Sequence, residues 1–321
     1  MADLSASARP TTTGPALLPL AWRTYRAPRW WFEVALVVIL DVVYEHLRDL
    51  VPTHQQQAIN RGLNILHFTQ RLHWDVELSI NHFVVHHEWL AQIANYDYSF
   101  FHLPVTAGVL IWLFWRHRRV YRTARMVLLL TTLLGLIGFW IFPMAPPRLL
   151  PGGGFVDTVV YFKTLGSWGS PAVADHSNLY AAMPSLHCAW SLWVGLSVFF
   201  VARNKIVRTI SVFYPFWTVF VVIATANHFL LDALAGWSCI GLSALAVWVL
   251  YGRNAWAPAL TAEEQTLTRQ ELRRLPPIKG AGLQIPRLRP LGRQRQDADD
   301  QESSAAPAAP PTPEHPTGTD S

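Results

Sequence analysis

The sequence predicts an all-α fold: a polytopic membrane helical bundle of six transmembrane helices with additional amphipathic helices. Three observations predict it. Of 321 residues, 51% are hydrophobic and only 15% charged, against about 25% charged in an average soluble domain. Much of that charge lies in two polar tails, so the middle of the chain is more apolar still. The 15 tryptophans suit aromatic belts at a membrane–water interface.

The composition also excludes some classes. Cys188 and Cys239 both fall inside apolar runs, which gives neither a disulfide framework nor zinc-ligand spacing. A formal charge of +5 could suit nucleic acid, but the arginines cluster beside apolar segments. That pattern orients a membrane protein, and no nucleic-acid partner is expected. Arg9, Arg23, Arg26 and Arg29 precede the first apolar run without a small-residue cleavage site after it, so no cleavable signal is expected.

Taken in order, residues 1–29 are rich in Ser, Thr, Pro and Ala and read as a disordered cytoplasmic N-terminus. The membrane domain spans 30–251. Its first span, Trp30 to Tyr44, carries Glu33 near the inner interface and Asp41, with Glu45, near the outer end. Apolar residues recur at helical spacing over 59–68 and again over 76–90, which predicts amphipathic helices on the membrane or against the bundle. Within the second, His82 and His86 are four apart. That spacing can bind a metal, but the sequence pins no third ligand, and ordinary interfacial histidines are the better reading.

Tyr98 to Trp115 is an uncharged span, followed by Arg116, Arg118, Arg119, Arg122 and Arg125. Met126 to Phe142 is the third span. A long Gly/Pro-rich loop, 143–185, follows, of a length usually reserved for function or disorder. Cys188 to Ala202 is the fourth span, and Arg203, Lys205 and Arg208 make a basic turn. Thr209 to Ala226 is the fifth span, broken by Asn227-His228, and Leu230 to Leu250 is the last. Residues 252–321 form a cytoplasmic tail, mostly disordered. In it Thr261-Ala-Glu-Glu264 has the form of a capping box that opens a short surface helix.

The basic clusters at the N-terminus, at 116–125, at 203–208 and in the tail all fall on one side of a six-span chain. The positive-inside rule makes that side cytoplasmic. The 143–186 loop and the His228 turn then share the outer face of a multi-pass cell-membrane protein.

That face carries the chemistry. The stretch Tyr180-Ala-Ala-Met-Pro-Ser-Leu-His187 meets an apolar run. Pro184 fits the first turn of a helix, where its missing N–H costs nothing, which would leave the N–H groups of Ser185 and Leu186 free for an anion. His228 and Asp232 are four apart, on one face of a helix. A carboxylate fixes a histidine's tautomer, so His228 can attack phosphorus with Asp232 orienting it. His187 supplies a second imidazole, to protonate the leaving oxygen. Arg148 can grip phosphate oxygens with its planar fork. Alone, a His-x-x-x-Asp spacing is common and a loop arginine is usually solvated; the combination on one membrane face is far more specific.

Arg148, then Pro184-Ser-Leu-His187, then His228-x-x-x-Asp232 resembles the three-part signature of the phosphatidic acid phosphatase type 2 superfamily, over roughly residues 98–251. The resemblance implies a six-helix membrane fold, a phosphohistidine intermediate and no metal or other cofactor. It implies that His228 is the nucleophile, Asp232 its partner, His187 the acid/base, and Arg148 and Ser185 the phosphate ligands. Two cations of the commoner phosphatase pattern are missing: Ile141 stands where that pattern has lysine, and Val222 where it has arginine. A phosphodiester carries one negative charge where a monoester carries nearly two, so it needs fewer cations. Met-Ala-Pro-Pro-Arg-Leu with Ala-Ala-Met-Pro-Ser-Leu-His is similar to the inositol phosphorylceramide synthase branch. The expected function is therefore an inositolphosphotransferase-like lipid phosphotransferase, with a lipid substrate. Lys163, in the same loop, can replace a missing cation, which keeps a lipid phosphate phosphatase as the alternative. A transporter or scaffold is disfavoured, because intramembrane charge is sparse and no inverted repeat shows.

Overall fold

In a lipid core no water satisfies backbone groups, so an apolar run has to satisfy its own, and it does so as a helix. The computed structural model describes residues 15–49, 55–74, 76–164 and 180–264, all within one unit, Met1–Gln270. Among them the regular elements are helical, and the sole pairing of extended residues is one isolated parallel bridge between Met144 and Ala181.

The helices are α1 (Leu20–Arg23), α2 (Trp30–Asp49), α3 (Gln55–Arg71), α4 (Val76–Val85), α5 (Glu88–Tyr96), α6 (His102–Arg116), α7 (Arg118–Ile141), α8 (Thr158–Tyr161), α9 (Leu186–Val201), α10 (Lys205–Ala224) and α11 (Leu230–Tyr251). A π-type turn, Asp97–Phe101, joins α5 to α6, so Glu88–Arg116 runs on as one helix. Four helices of the described residues are long and apolar enough to cross a membrane: Glu88–Arg116, Arg118–Ile141, Lys205–Ala224 and Leu230–Tyr251. The other two expected spans are not among these four: α2 is 20 residues long, and α9, at 16 residues, falls below the roughly 20 of a full span. α9 stops because Ala202 turns extended and Asn204 starts the next helix, accepting N–H bonds from Ile206 and Val207.

The central helix is α9, which packs on α6, α7, α10 and α11. Its core partners include Leu128, Leu136 and Phe139 of α7 and Ile240 and Val247 of α11, around the fully buried Trp193. Outward, Ile137, Ile141, Phe213, Phe216, Leu242 and Leu245 are exposed. So broad an apolar outer surface is rare on a soluble protein. The first predicted amphipathic helix is present as α3; the second, expected over 76–90, stops at Val85 as α4, and Glu88 to Leu90 open α5 instead.

Several boundaries differ from the sequence reading. The basic cluster before the third span belongs to the helix, since α7 begins at Arg118. Arg125 is buried and pairs with Glu33, which also accepts the Tyr121 hydroxyl at 3.0 Å. A buried cation is tolerated because it is paired, so Glu33 and Arg125 are packing partners. Of the supposed N-terminal tail, residues 1–14 lie outside the described residues. Leu17 and Leu18, however, donate to the carbonyls of Val249 and Leu250. Residues 252–264 also fold back: Ala255, Trp256 and Ala259 are buried, and the Trp256 indole donates to Ser197. The expected capping box is formed, with Glu264 N–H donating to Thr261 Oγ1 and Thr261 N–H to Glu264. Asp41, Glu45 and the tail beyond Glu264 lie outside what the structure describes of side chains or chain.

Candidate active site

Three stretches distant in sequence are sewn together by their backbones. Met144 N–H donates to Tyr180 and Ala182 N–H to Met144. Arg148 N–H donates to the carbonyl of Ala226, and Ser185 N–H to that of Asp232. These bonds bring the Arg148 loop, the start of α9 and the turn before α11 to one place.

The start of α9 differs from the sequence reading. Pro184 does not occupy the first helical turn; it precedes the cap, after a cis peptide bond from Met183. Ser185 is the N-cap, and its Oγ accepts Cys188 N–H at 3.4 Å. Both polar groups of Ser185 are therefore engaged, and the residue is fully buried. The N–H groups left without intrahelical acceptors are those of Leu186 and His187, the first two helical positions. The close packing uses absent side chains. A Cβ on Gly236 of α11 would stand 2.3 Å from the Ser185 oxygen, and one on Gly138 of α7 would stand 2.4 Å from Pro184 Cδ.

His228 lies in the turn that ends α10, where Asn227 and His228 both donate N–H bonds to Val222. Its Nδ1 is 3.3 Å from Asp232 Oδ2, long for such a bond. The same Oδ2 accepts Phe229 N–H at 2.9 Å. Asp232 thus caps α11 and orients the histidine with one oxygen. Burial, and secondarily the positive Arg148, push His228 down to about 3 against an opposing backbone hydrogen bond at Ala182. The carboxylate opposite Nδ1 favours the tautomer with the proton on Nδ1, and in that neutral form Nε2 carries a lone pair.

The His187 ring is 6.2 Å from that of His228, centroid to centroid. It stacks on Tyr98 at 4.5 Å and touches His102 at 4.8 Å. Tyr98 belongs to the π turn, a distortion common at functional sites. Arg148 stands in a short 3₁₀ turn, Pro147–Leu149. Its Nη1 donates to Asn227 Oδ1 and its Nε faces Asp157 Oδ2 at 3.3 Å.

His187, His228, Asp232, Arg148 and Ser185 are thus brought together. Lys163 is not joined to them: it is exposed in the turn that ends α8, with φ +51°, and makes no hydrogen bond, ion pair or ring contact with them among the described residues. Ile141 points outward and Val222 is fully buried, so neither position offers a charge. Arg61 of α3 is spent on the end of α7, donating to Ile141 and Pro143. His82, weighed as a metal ligand, bonds the Gly154 carbonyl at 2.8 Å instead.

Sequence reasoning missed Asn227, Asp157, Tyr98 and Glu77. Asn227 was read only as a helix break. It holds Arg148 while its own amide donates to Thr225 Oγ1, whose hydroxyl donates to Val221. Glu77, from α4, is buried and accepts Leu230 N–H at 3.0 Å, a second cap on α11. Asp157 had a local signal, since it precedes a helical turn and caps it at Val159 and Val160.

A model of the PAP2 superfamily matches residues 63–246, a stretch that contains Arg148, Ser185, His187, His228 and Asp232. The chain is 27% identical over 189 residues to a phosphoinositol dihydroceramide synthase of Bacteroides thetaiotaomicron. That match covers 53% of this chain and 58% of the relative, so less than two thirds of the relative is spanned. No solved structure is a significant match.

The double duty of Asp232 predicts separable effects. Asp232→Asn keeps an acceptor for Phe229 N–H but loses the charge that sets the imidazole tautomer; turnover should fall about 10²–10⁴-fold with folding in detergent nearly unchanged. Asp232→Ala should also lose the cap, costing about 0.5–2 kcal/mol. Turnover assays and thermal unfolding of both variants check this; full activity in Asp232→Asn would contradict the orienting role.

Proposed function

The chain belongs to the PAP2 superfamily, and on that footing we propose that it is an integral membrane lipid phosphotransferase that moves a phosphoinositol-type head group between lipids. The observation that carries this is the pairing of a neutral, carboxylate-oriented His228 with His187 beside Arg148, the one cationic side chain at the site among the described residues. The relative's name, phosphoinositol dihydroceramide synthase, supplies the head group and a ceramide-type acceptor.

In the proposed reaction Nε2 of His228 attacks the phosphorus of a lipid phosphodiester. The Nε2–P bond forms as the bond from phosphorus to the lipid oxygen breaks, and His187 gives that oxygen its proton. The acceptor hydroxyl then loses its proton to His187 and attacks phosphorus, breaking the Nε2–P bond. Nucleophile and acid must flank the phosphoryl group for an in-line displacement, and two rings 6.2 Å apart suit that. Arg148 and the Leu186 and His187 N–H groups, at the positive end of α9, would hold the equatorial oxygens. Ser185 enters as the residue that builds this cradle, and Lys163 has no assigned part.

With Ile141 and Val222 uncharged, a monoester dianion would be under-neutralised in a water-poor site, where charge is costly. The expected result is a higher kcat/KM for a phosphatidylinositol-type diester, with a ceramide-type acceptor present, than for phosphatidic acid. Faster turnover of the monoester, with release of inorganic phosphate, would leave a phosphatase in its place.

The arginine distribution supports an outward-facing site, with α2 and α9 completing six spans and both termini cytoplasmic. On a background without Cys188 and Cys239, a membrane-impermeant thiol reagent added outside should label a cysteine at Gly153 and spare one at Arg119. The reverse pattern would invert the topology.

A further inference from the structure

Arg148 is the fixed cation of the site, and a fixed anion stands against it. Asp157 Oδ2 lies 3.3 Å from Arg148 Nε. The carboxylate is not a drifting surface group. Its other oxygen accepts the N–H groups of Val159 and Val160. The preceding residue, Val156, is clamped through both N–H and carbonyl by the Asn81 side chain, which also donates to Ala224 at the end of α10. The loop that carries Asp157 is therefore tied to the same helix end that carries Asn227 and His228. Tyr98, stacked on His187, lies within electrostatic reach of both Arg148 and Asp157.

The guanidinium is held on two sides. Nη1 donates to Asn227 and Nε faces Asp157. Among the described residues Nη2 has no partner, so the fork left for a ligand is the end formed by Nη2 and the second Nη1 hydrogen. A phosphate gripped there meets one positive charge with a negative charge directly behind it. The arginine keeps its geometry and hydrogen bonds but loses much of its long-range attraction.

We propose that Asp157 is a specificity-determining residue, a counter-charge that biases the phosphate cradle toward monoanionic phosphodiesters and against dianionic phosphomonoesters. This deepens the transferase reading and rests on it. A monoester at neutral pH carries about −1.5 to −2 charges, so a neighbouring carboxylate repels it about twice as strongly as it repels a diester. Asp157 also fixes the arginine's orientation, so its removal has two separable consequences. Loss of orientation weakens every anion alike, whereas loss of charge helps each anion in proportion to its own charge.

The test uses the purified full chain at pH 8, with inorganic phosphate as the dianion probe and dimethyl phosphate as the monoanion probe, each read as an inhibitor of diester turnover. Asp157→Asn retains the capping oxygen and removes the charge. Its Ki for inorganic phosphate should fall about tenfold, its Ki for dimethyl phosphate by about the square root of that factor, and its kcat/KM ratio of phosphatidic acid to diester should rise. If that variant does not fold, Asp157→Ser supplies another uncharged cap. Equal shifts for the two probes, or none, in a protein whose wild type turns over the diester would overturn the assignment of Asp157. A wild type that prefers the monoester would instead sink the transferase reading, whatever Asp157 does.

Discussion

Asp232 holds this structure's working end together. Its backbone carbonyl accepts the N–H of Ser185, the cap of α9, and its carboxylate accepts the N–H of Phe229, the cap of α11, while facing His228. One residue therefore fixes the starts of two helices and the orientation of an imidazole. The arrangement requires a bare Cα at Gly236, one turn further on, because a side chain there would collide with the Ser185 carbonyl. Each buried hydrogen bond contributes only about 1 kcal/mol net, but stranding a buried partner costs about 1–3 kcal/mol. The geometry is thus cheap to keep and expensive to disturb, which is what a preorganised site needs.

From that anchor the rest of the site follows by short backbone links. The Arg148 loop is held by Met144 to Tyr180 and by Arg148 to Ala226. The side chain of Arg148 is then set by Asn227, itself braced through Thr225 to the end of α10. α4 adds a second brace, with Glu77 on the start of α11 and Asn81 on the Asp157 loop. Little of the positioning depends on charge. Among the described residues one arginine and the first N–H groups of α9 make up the positive side of the proposed cradle, and that economy is what the phosphodiester reading rests on.

Much of this was legible in the sequence because apolar length and arginine placement are one-dimensional signals. They located the spans of α6, α7, α10 and α11, and the His228–Asp232 spacing put both groups on one helix face, although His228 lies in the turn before Phe229, the cap of α11. The spacing also hid something: Asp232 reads as a catalytic partner, whereas its cap on α11 appears only once Phe229 is seen to open that helix. Pro184 misled for a related reason. A proline fits a first helical turn, but Ser185 is the better cap, so the helix starts at Leu186, two residues later, and the Ser185 donors are out of play. The pairing of Arg125 with Glu33 was not legible because the two lie 92 positions apart in the chain. Asn227 and Glu77 were invisible as site residues, and Asp157 signalled only its local cap, because their site partners are distant in sequence and no local periodicity encodes such a meeting. Lys163 was attractive on charge alone, and the fold leaves it exposed.

The central claim is that Asp232 and the helix starts it joins present His228, and no other residue, to phosphorus. The most direct measurement is a rapid-mixing experiment with a head-group-labelled phosphodiester lipid and no acceptor, quenched in alkali to preserve phosphohistidine, with the labelled residue located by peptide mass spectrometry. The account predicts a single adduct on His228 that accumulates before turnover and is discharged when acceptor is added. An adduct on His187, or steady turnover with no histidine adduct at any time, would contradict it.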